Sequence, residues 1–194
     1  MRLKDELLSC VRDLYRAGLT TSVSGNHSVR CNDWMWITPS GIPRYSILSS
    51  DLAKVNIHTG KVVRKKKPSI ETGMHRKIYL ACPDFRAVIH THSPYTIAVS
   101  ISSDFKHVIE EAKIVVGNPA VIPNKPSGSD ELAIMVASEL SAGARAVIVK
   151  NHGVIAAAAS IHQARAIVES LEEWSKILTL SRVLGGAKDF LDDH

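Results

Sequence analysis

Two hydrophobic patterns alternate along the chain, one with the spacing of helices and one with the spacing of strands. Residues 4–17 carry apolar side chains on one helical face, and Gly18 follows them as a typical helix stop. Similar patterns predict further helices over residues 71–81, 94–102, 130–142 and 161–184. Short apolar runs predict strands over residues 28–31, 34–38, 52–57, 61–64, 86–91, 113–116, 120–122, 146–149 and 154–157.

Polar residues indicate where the helices begin and where the chain turns. Ser69 and Ser93 each precede a helical stretch, where a hydroxyl can accept a hydrogen bond from the first turn, and Pro94 suits the first helical position. The dipeptides Asn32-Asp33 and Thr59-Gly60 separate pairs of strands as hairpin turns do. Because such connections are too short for crossovers, we predict an α/β fold with a largely antiparallel or mixed sheet.

Length and composition indicate one globular domain over residues 1–194. The hydrophobic fraction is 45% and the charged fraction is 22%, which gives enough apolar chain for a sizeable core. No apolar run approaches the roughly 20 residues of a membrane-spanning helix. The first residues, Met1 to Glu6, lack the apolar segment of a signal peptide. We therefore expect a cytoplasmic protein without membrane contact.

The net charge of +5 comes partly from one basic run, Arg64-Lys65-Lys66-Lys67. No aromatic residues interleave with this run and no nucleic-acid-binding motif is present, so we interpret it as a solvated loop and expect no nucleic-acid partner. A modest positive charge also suits a small anionic substrate. The three cysteines lack Cys-x-x-Cys spacing, which argues against a thiolate metal site.

Three histidines at two places have the arrangement of a metal site. His90 and His92 are two residues apart in a predicted strand, so their side chains project from the same face. His152 stands in an Asn-His-Gly turn after a second apolar run, where an imidazole can reach the rim of a sheet. A His-x-His pair alone is more often structural, but the third histidine favours a catalytic zinc with three protein ligands and one open position.

Glu71 precedes a predicted helix, and its position has two interpretations. Acidic residues are favoured in the first helical turn by the helix dipole. Beside a metal, the same carboxylate could move a proton next to a carbonyl group. The other histidines have no comparable neighbours, so we expect His75 and His162 on a helix surface or next to the site. We expect the remaining four to face solvent: His27, His58, His107 and His194.

Several short motifs follow one another along the chain. They are Gly18-Leu19, Ser24-Gly25-Asn26-His27-Ser28-Val29-Arg30, Ile37-Thr38-Pro39-Ser40-Gly41-Ile42-Pro43, Pro68-Ser69-Ile70-Glu71, His90-Thr91-His92 and Asn151-His152-Gly153. Together they resemble the class II aldolase/adducin family, in the family's order over about residues 5–180. The resemblance implies a three-layer α/β/α fold around a mainly antiparallel or mixed sheet, and a cyclic homotetramer with active sites between subunits.

The same resemblance implies a zinc-dependent aldolase with one Zn²⁺ per chain. It implies zinc on His90, His92 and His152, and Glu71 as the catalytic acid and base. The implied substrate is a short ketose 1-phosphate similar to L-fuculose 1-phosphate, cleaved reversibly into dihydroxyacetone phosphate and an aldehyde. Hydroxyls and loop N–H groups would hold the phosphate, and the implied residues are Gly25, Asn26, Ser40, Gly41 and Ser69.

The chain also departs from the family pattern. Val23 and Ile70 stand where members that act on fuculose phosphate have phosphate-binding hydroxyls, and Glu110 or Glu111 stands where a neighbouring subunit supplies a proton-donating tyrosine. Two other activities of the family stay open, a methylthioribulose-1-phosphate dehydratase and a sugar-phosphate 4-epimerase, although the epimerase has Asp at the position of Glu71. The alternative of another class is a non-catalytic adducin-like assembly module, and such members tend to lose the histidines.

Overall fold

The computed structural model describes residues 2–63 and 66–191 and contains a seven-stranded sheet. The strand order is β3-β2-β1-β4-β7-β6-β5, and every neighbouring pair is antiparallel except the parallel pair of β5 and β6. The predicted mainly antiparallel, mixed sheet is therefore confirmed. The strands are β1 (Asn26–Cys31), β2 (Trp34–Ile37), β3 (Ala53–Asn56), β4 (Ala87–Thr91), β5 (Ala120–Ile122), β6 (Ala146–Val149) and β7 (Gly153–Ala158).

Helices cover both faces of the sheet and complete the predicted α/β/α architecture. Alternation along β7 sends Val154 into one core and Ile155 into the other. The first core lies under α1, α3, α4 and α6, and the second lies under α2 and α5. No helix in the described ranges is long and apolar enough to cross a bilayer. The helices are α1 (Arg2–Arg16), α2 (Thr72–Ala81), α3 (Pro94–Ser102), α4 (Glu110–Val115), α5 (Asp130–Ser141) and α6 (Ile161–Val183).

The antiparallel pairing brings distant polar residues to one edge of the sheet. Asn26 at the start of β1 pairs with His90 near the end of β4. On the other side of β4, Thr91 pairs with Val154 at the start of β7, directly after the turn that contains His152. The strand ends that carry polar motifs therefore lie side by side at this edge.

One predicted strand, over residues 113–116, is wrong. The segment belongs to α4, in which Ala112 and Val116 are buried in the core beneath α6 while Ile114 is 65% exposed. Its β-branched residues favour a strand locally, but packing against α6 selects the helix. The predicted strand over 61–64 is reduced to a single bridge between Val55 and Val62, and residue 64 lies outside the described residues.

Two histidines that we expected to face solvent are buried. His27 is 0% exposed within the sheet, between β2 and β4. His107 is 5% exposed because its ring stacks on Trp174, with 4.5 Å between ring centroids. Neither burial follows from a local pattern, since each depends on neighbours far along the chain. His58 and His162 are exposed as predicted, and His194 lies outside the described residues.

Candidate active site

The imidazoles of His90, His92 and His152 converge at the edge of the sheet. Within the described part of the chain, they form the one group of three metal-ligating side chains whose donor atoms lie within 4.8 Å of one another. The Nε2 atoms of His90 and His92 are 3.2 Å apart. Tetrahedral zinc with Zn–N bonds of about 2.0–2.1 Å requires N···N separations of roughly 3.3 Å. The cluster thus has the dimensions to hold one small divalent ion.

The protonation of these imidazoles also suits a metal. His90 Nδ1 donates to the Val154 carbonyl oxygen at 3.0 Å, which leaves the lone pair on Nε2 for the cluster. Burial, together with His90 and His152, lowers the pKa of His92 to about 4. Burial and His90 lower the pKa of His152. Since metals bind neutral imidazole, His92 and His152 need lose no proton at neutral pH.

The Asn-His-Gly turn has a backbone that places His152 at the cluster. Asn151 has a φ of 59°, in the left-handed region that asparagine tolerates better than most residues. Gly153 lies so close to β4 that a Cβ there would overlap the Thr91 carbonyl oxygen and come within 3.0 Å of the His90 ring. A side chain at position 153 would therefore push the turn away from the other two histidines.

The Glu71 carboxylate lies beside the imidazoles. It is 3% exposed, with Oε2 3.3 Å from His90 Nε2 and Oε1 3.6 Å from His152 Nε2. Glu71 occupies the N-cap position of α2 without a side-chain capping bond, so the predicted cap at Ser69 is wrong. The Ser69 hydroxyl instead accepts a hydrogen bond from Glu71 N at 3.2 Å. The carboxylate therefore points away from the helix amides and toward the cluster.

A buried row of hydrogen bonds holds the carboxylate in place. Asn26 Nδ2 donates to Glu71 Oε2 at 2.7 Å, and Asn26 Oδ1 lies 2.6 Å from His75 Nε2. His75 Nδ1 lies 2.7 Å from Ser28 Oγ, which is 2.9 Å from the Tyr79 hydroxyl. Because an ionised carboxylate can only accept, Asn26 must accept from His75 Nε2–H, and His75 Nδ1 must accept from Ser28. Each hydrogen bond from Ser28 onward is therefore donated toward Glu71, which accepts the last one.

The electrostatics keep the carboxylate ionised and His75 neutral. Burial raises the pKa of Glu71, but the attraction of protonated His90, the hydrogen bond from Asn26 and the attraction of protonated His152 outweigh it. The pKa of Glu71 therefore lies below its ordinary value. Burial lowers the pKa of His75 to about 3. Among the described atoms, Glu71 Oε1 has no hydrogen-bond partner, so this oxygen remains available to a proton or a ligand.

Acid should destabilise the metal-free protein because folding keeps His75 neutral. Its pKa is about 3 in the fold, against an ordinary value of 6.5, so between these limits the unfolded chain binds a proton that the folded chain does not. This contribution to stability is complete above about pH 6.5 and is lost as the pH falls. We expect His75→Gln to reduce the slope of unfolding free energy by about 1 kcal/mol per pH unit between about pH 6 and 4.5.

Urea unfolding of the metal-free protein across this pH range measures the slope. His162 is exposed on α6, so His162→Gln is the matched control and should keep the wild-type slope. An unchanged slope in His75→Gln would contradict the neutral, buried imidazole at the centre of the row.

The carboxylate and the imidazoles open into a cleft of about 330 Å³. A cleft of about 700 Å³ beside α1 and α6 is larger, but its walls contain none of the three clustered histidines. The smaller cleft brings together Glu71, two of the clustered histidines and every predicted phosphate-binding residue. Its lining residues are Val23, Ser24, Gly25, Asn26, Ser40, Gly41, Arg44, Ser69, Ile70, Glu71, His92, Ser127 and His152.

Comparison with known proteins decides the family. The family model described as Class II Aldolase and Adducin N-terminal domain matches residues 5–179. The chain belongs to this family. A similar protein is the L-fuculose phosphate aldolase of Methanococcus maripaludis strain S2, which is 33% identical over 173 residues, covering 89% of this chain and 93% of that one.

Two further relatives are informative. The 5-methylthioribulose-1-phosphate/5-deoxyribulose-1-phosphate aldolase of Escherichia coli O45:K1 is 34% identical over 158 residues, covering 80% of this chain and 73% of that one. A solved structure of an L-fuculose 1-phosphate aldolase superposes with a TM-score of 0.86 at 32% identity, covering 99% of this chain and 91% of that one. The predicted resemblance and fold are thus confirmed.

Some of the predicted phosphate-binding side chains already have partners. Both polar ends of the Asn26 amide are bound to Glu71 and His75. The Ser40 hydroxyl donates to the Pro68 carbonyl oxygen at 3.1 Å. The Ser69 hydroxyl accepts from Glu71 N and keeps its own hydrogen for a ligand. The phosphate-binding roles stay predictions, and the structure favours Ser69 and the loop backbones over the Asn26 amide.

Sequence reasoning missed several residues of the site. Ser28 and Tyr79 are two of them, whereas His75 lies next to the site, one of the two positions expected for it. A local signal existed for Tyr79, because Glu71, His75 and Tyr79 are four residues apart and share one side of α2. No local signal existed for Ser127, whose hydroxyl lies 3.4 Å from His152 Nε2. The same holds for Arg44, which lines the cleft but lies just after the motif of residues 37–43.

Proposed function

We propose that this class II aldolase uses zinc to cleave a short ketose 1-phosphate reversibly into dihydroxyacetone phosphate and an aldehyde. The observation that carries the proposal is the Glu71 carboxylate beside three convergent imidazoles within one cleft. The names of the relatives support the substrate class, since they act on L-fuculose phosphate and on 5-methylthioribulose or 5-deoxyribulose 1-phosphate. The cytoplasmic location stays a prediction.

The chemistry assigns a distinct task to each group. A divalent ion held by His90, His92 and His152 would polarise the substrate carbonyl and stabilise the negative charge that develops on its oxygen. In the condensation direction, Glu71 Oε1 removes a proton from the carbon next to that carbonyl, and in cleavage Glu71 returns the proton to the same carbon. Because Asn26 binds Oε2, the other carboxylate oxygen, Oε1, is left to do this work.

A second proton donor is needed for the aldehyde oxygen. Glu110 and Glu111 begin α4, are exposed, and do not line the cleft of their own chain. We therefore assign this role to one of them acting in the cleft of a neighbouring subunit, as part of the proposed homotetramer. This assignment accounts for the absence of a matching tyrosine.

The missing hydroxyls at Val23 and Ile70 should weaken phosphate binding without changing the chemistry. Both side chains are exposed at the cleft, and each neutral hydrogen bond is worth about 0.5–1.5 kcal/mol. We expect Ile70→Ser to lower KM for the ketose 1-phosphate by about two- to tenfold with little change in kcat, because such a contact binds substrate and transition state equally. Steady-state kinetics measure both, and a higher KM would mean that Ile70 packs the cleft instead.

A substrate panel tests the proposed function directly. It contains L-fuculose 1-phosphate, 5-deoxyribulose 1-phosphate, methylthioribulose 1-phosphate and ribulose 5-phosphate, each with and without a chelator. We expect dihydroxyacetone phosphate to be released from at least one ketose 1-phosphate, and activity to vanish with the chelator and return with zinc. Water loss from methylthioribulose 1-phosphate or epimerisation of ribulose 5-phosphate would replace the proposal with another family activity. No turnover at all would favour an assembly module.

A further inference from the structure

Arg44 joins the two loops that form the outer wall of the cleft. Its guanidinium group donates to three consecutive carbonyl oxygens of the first loop, those of Val23, Ser24 and Gly25, at 3.1, 3.3 and 2.7 Å. It also donates to the carbonyl oxygens of Pro39 and Ile42 in the second loop, at 3.2 and 3.1 Å. All five N–H groups of the guanidinium are thereby used. Arg44 therefore fixes the distance between the loops that line the cleft.

Among residues 2–63 and 66–191, the charge of Arg44 has no counterion. The residue is 2% exposed, and no carboxylate of the described residues forms an ion pair with its guanidinium. Burial lowers its pKa only to about 10, so the group stays cationic at neutral pH. Carbonyl dipoles solvate this cation but do not neutralise it. A buried cation without an anion is costly, which favours a negative ligand nearby.

The neighbouring His27 adds no charge of its own. Burial, with Arg44 as the next contribution, holds the pKa of His27 well below its usual range. Arg44 therefore supplies the fixed positive charge on this side of the cleft. The cleft has the apolar side chains of Val23 and Ile70 where the resemblance implies phosphate-binding hydroxyls, so these two side chains offer an anion no hydrogen bond.

We propose that Arg44 gives the cleft its preference for a phosphorylated ligand, by holding both loops and by contributing an uncompensated buried charge. This inference rests on the proposed function for the identity of the ligand. Because every N–H group of Arg44 is bound to a carbonyl, the residue acts as a positioning and electrostatic residue without touching the phosphate. Its charge compensates for the hydroxyls that are absent at Val23 and Ile70.

Equilibrium binding of glycerol 1-phosphate to the zinc-loaded protein tests the inference without requiring turnover. We expect Arg44→Met to weaken the affinity by on the order of tenfold, and Arg44→Lys by about threefold, since lysine keeps the charge but not the planar fork. For a ketose 1-phosphate that is turned over, Arg44→Met should raise KM far more than it lowers kcat.

A matched control comes from the far end of the sheet. Arg145 donates to the carbonyl oxygens of Ile114 and Val115 at 2.6 and 3.0 Å, outside the cleft, so Arg145→Met should bind glycerol 1-phosphate as the wild type does. The inference is overturned if Arg44→Met, with a normal melting temperature, binds within about twofold of the wild type. Equal losses in Arg44→Lys and Arg44→Met would also overturn it, because charge would then not matter.

Two further outcomes keep the inference separate from the proposed function. If Arg44→Met does not fold, the lysine variant decides, and an Arg44→Lys affinity equal to that of the wild type overturns the inference. If the wild type cleaves no ketose 1-phosphate but binds glycerol 1-phosphate through Arg44, the proposed function fails and the role of Arg44 is supported. If the wild type shows aldolase activity but substitution of Arg44 leaves the affinity for glycerol 1-phosphate unchanged, the proposed function is supported and the role of Arg44 fails.

Discussion

Glu71→Gln should lower turnover of the ketose 1-phosphate by on the order of 10²–10⁴-fold, the usual contribution of a positioned acid or base. Glutamine keeps the shape of the side chain and its Oε1 can still accept the Asn26 hydrogen bond, so the fold and most of the metal should be retained. The amide cannot take a proton from carbon, which is the step assigned to this carboxylate. Measuring kcat together with the zinc content of the same preparation separates loss of the base from loss of the metal.

The matched control for this substitution is Glu173→Gln on the exposed side of α6, which should leave kcat unchanged. Near-normal turnover in Glu71→Gln would mean that the carboxylate only stabilises the start of helix α2. A large loss of zinc in Glu71→Gln would instead mean that Glu71 acts chiefly on the metal, since its oxygens lie 3.3 and 3.6 Å from two of the ligand nitrogens.

His92→Ala should release most of the zinc and abolish aldolase activity. Losing a hydrogen-bond partner of a ligand already costs about 10–100-fold in metal affinity, and removal of a ligand itself should cost more. The two remaining histidines leave a site with too few protein ligands for a catalytic zinc. Metal analysis after dialysis against a weak chelator, with kcat measured at saturating and at substoichiometric zinc, checks the prediction.

His58→Ala is the control for metal content, because His58 is exposed near β3 and lies outside the cleft. We expect this variant to keep about one zinc per chain and full activity, as the three-ligand site predicts. Full zinc and full activity in His92→Ala would refute the assignment of the ligands. Partial activity that returns with added zinc would agree with a weakened site.

The secondary structure could be predicted best where an element has a continuous apolar side or is apolar throughout. Helix α6 and the strands β4, β6 and β7 have apolar patterns that few other structures accommodate, and they form close to the predicted residues. The prediction for the segment of α4 is wrong, because its run of β-branched residues has no strand partner in the fold. Its helical form depends on burying Ala112 and Val116 in the core shared with α6, a contact between distant parts of the chain.

The residues of the candidate site also differ in whether local spacing predicts them or distant contacts place them. Strand alternation places His90 and His92 on one side of the chain, and the apolar run before His152 leads that turn to the sheet edge, so residue spacing alone predicts the trio. The burial of His27 and of His107 has no such local signal, because each depends on strands or rings contributed from elsewhere. Even Asn26, which the motif associates with phosphate, is instead bound to Glu71.

The sequence by itself determined the types of most elements, the shared face of His90 and His92, and the prediction of a metal and acid–base site, since these depend on residue type and local spacing. The tertiary structure alone decided that Asn26 reaches a carboxylate 45 residues away and that Arg44 reaches carbonyl oxygens up to 21 residues away. The physical reason is that a buried amide or guanidinium must satisfy its donors wherever folding leaves acceptors. The available acceptors are known only once the sheet and its loops have packed.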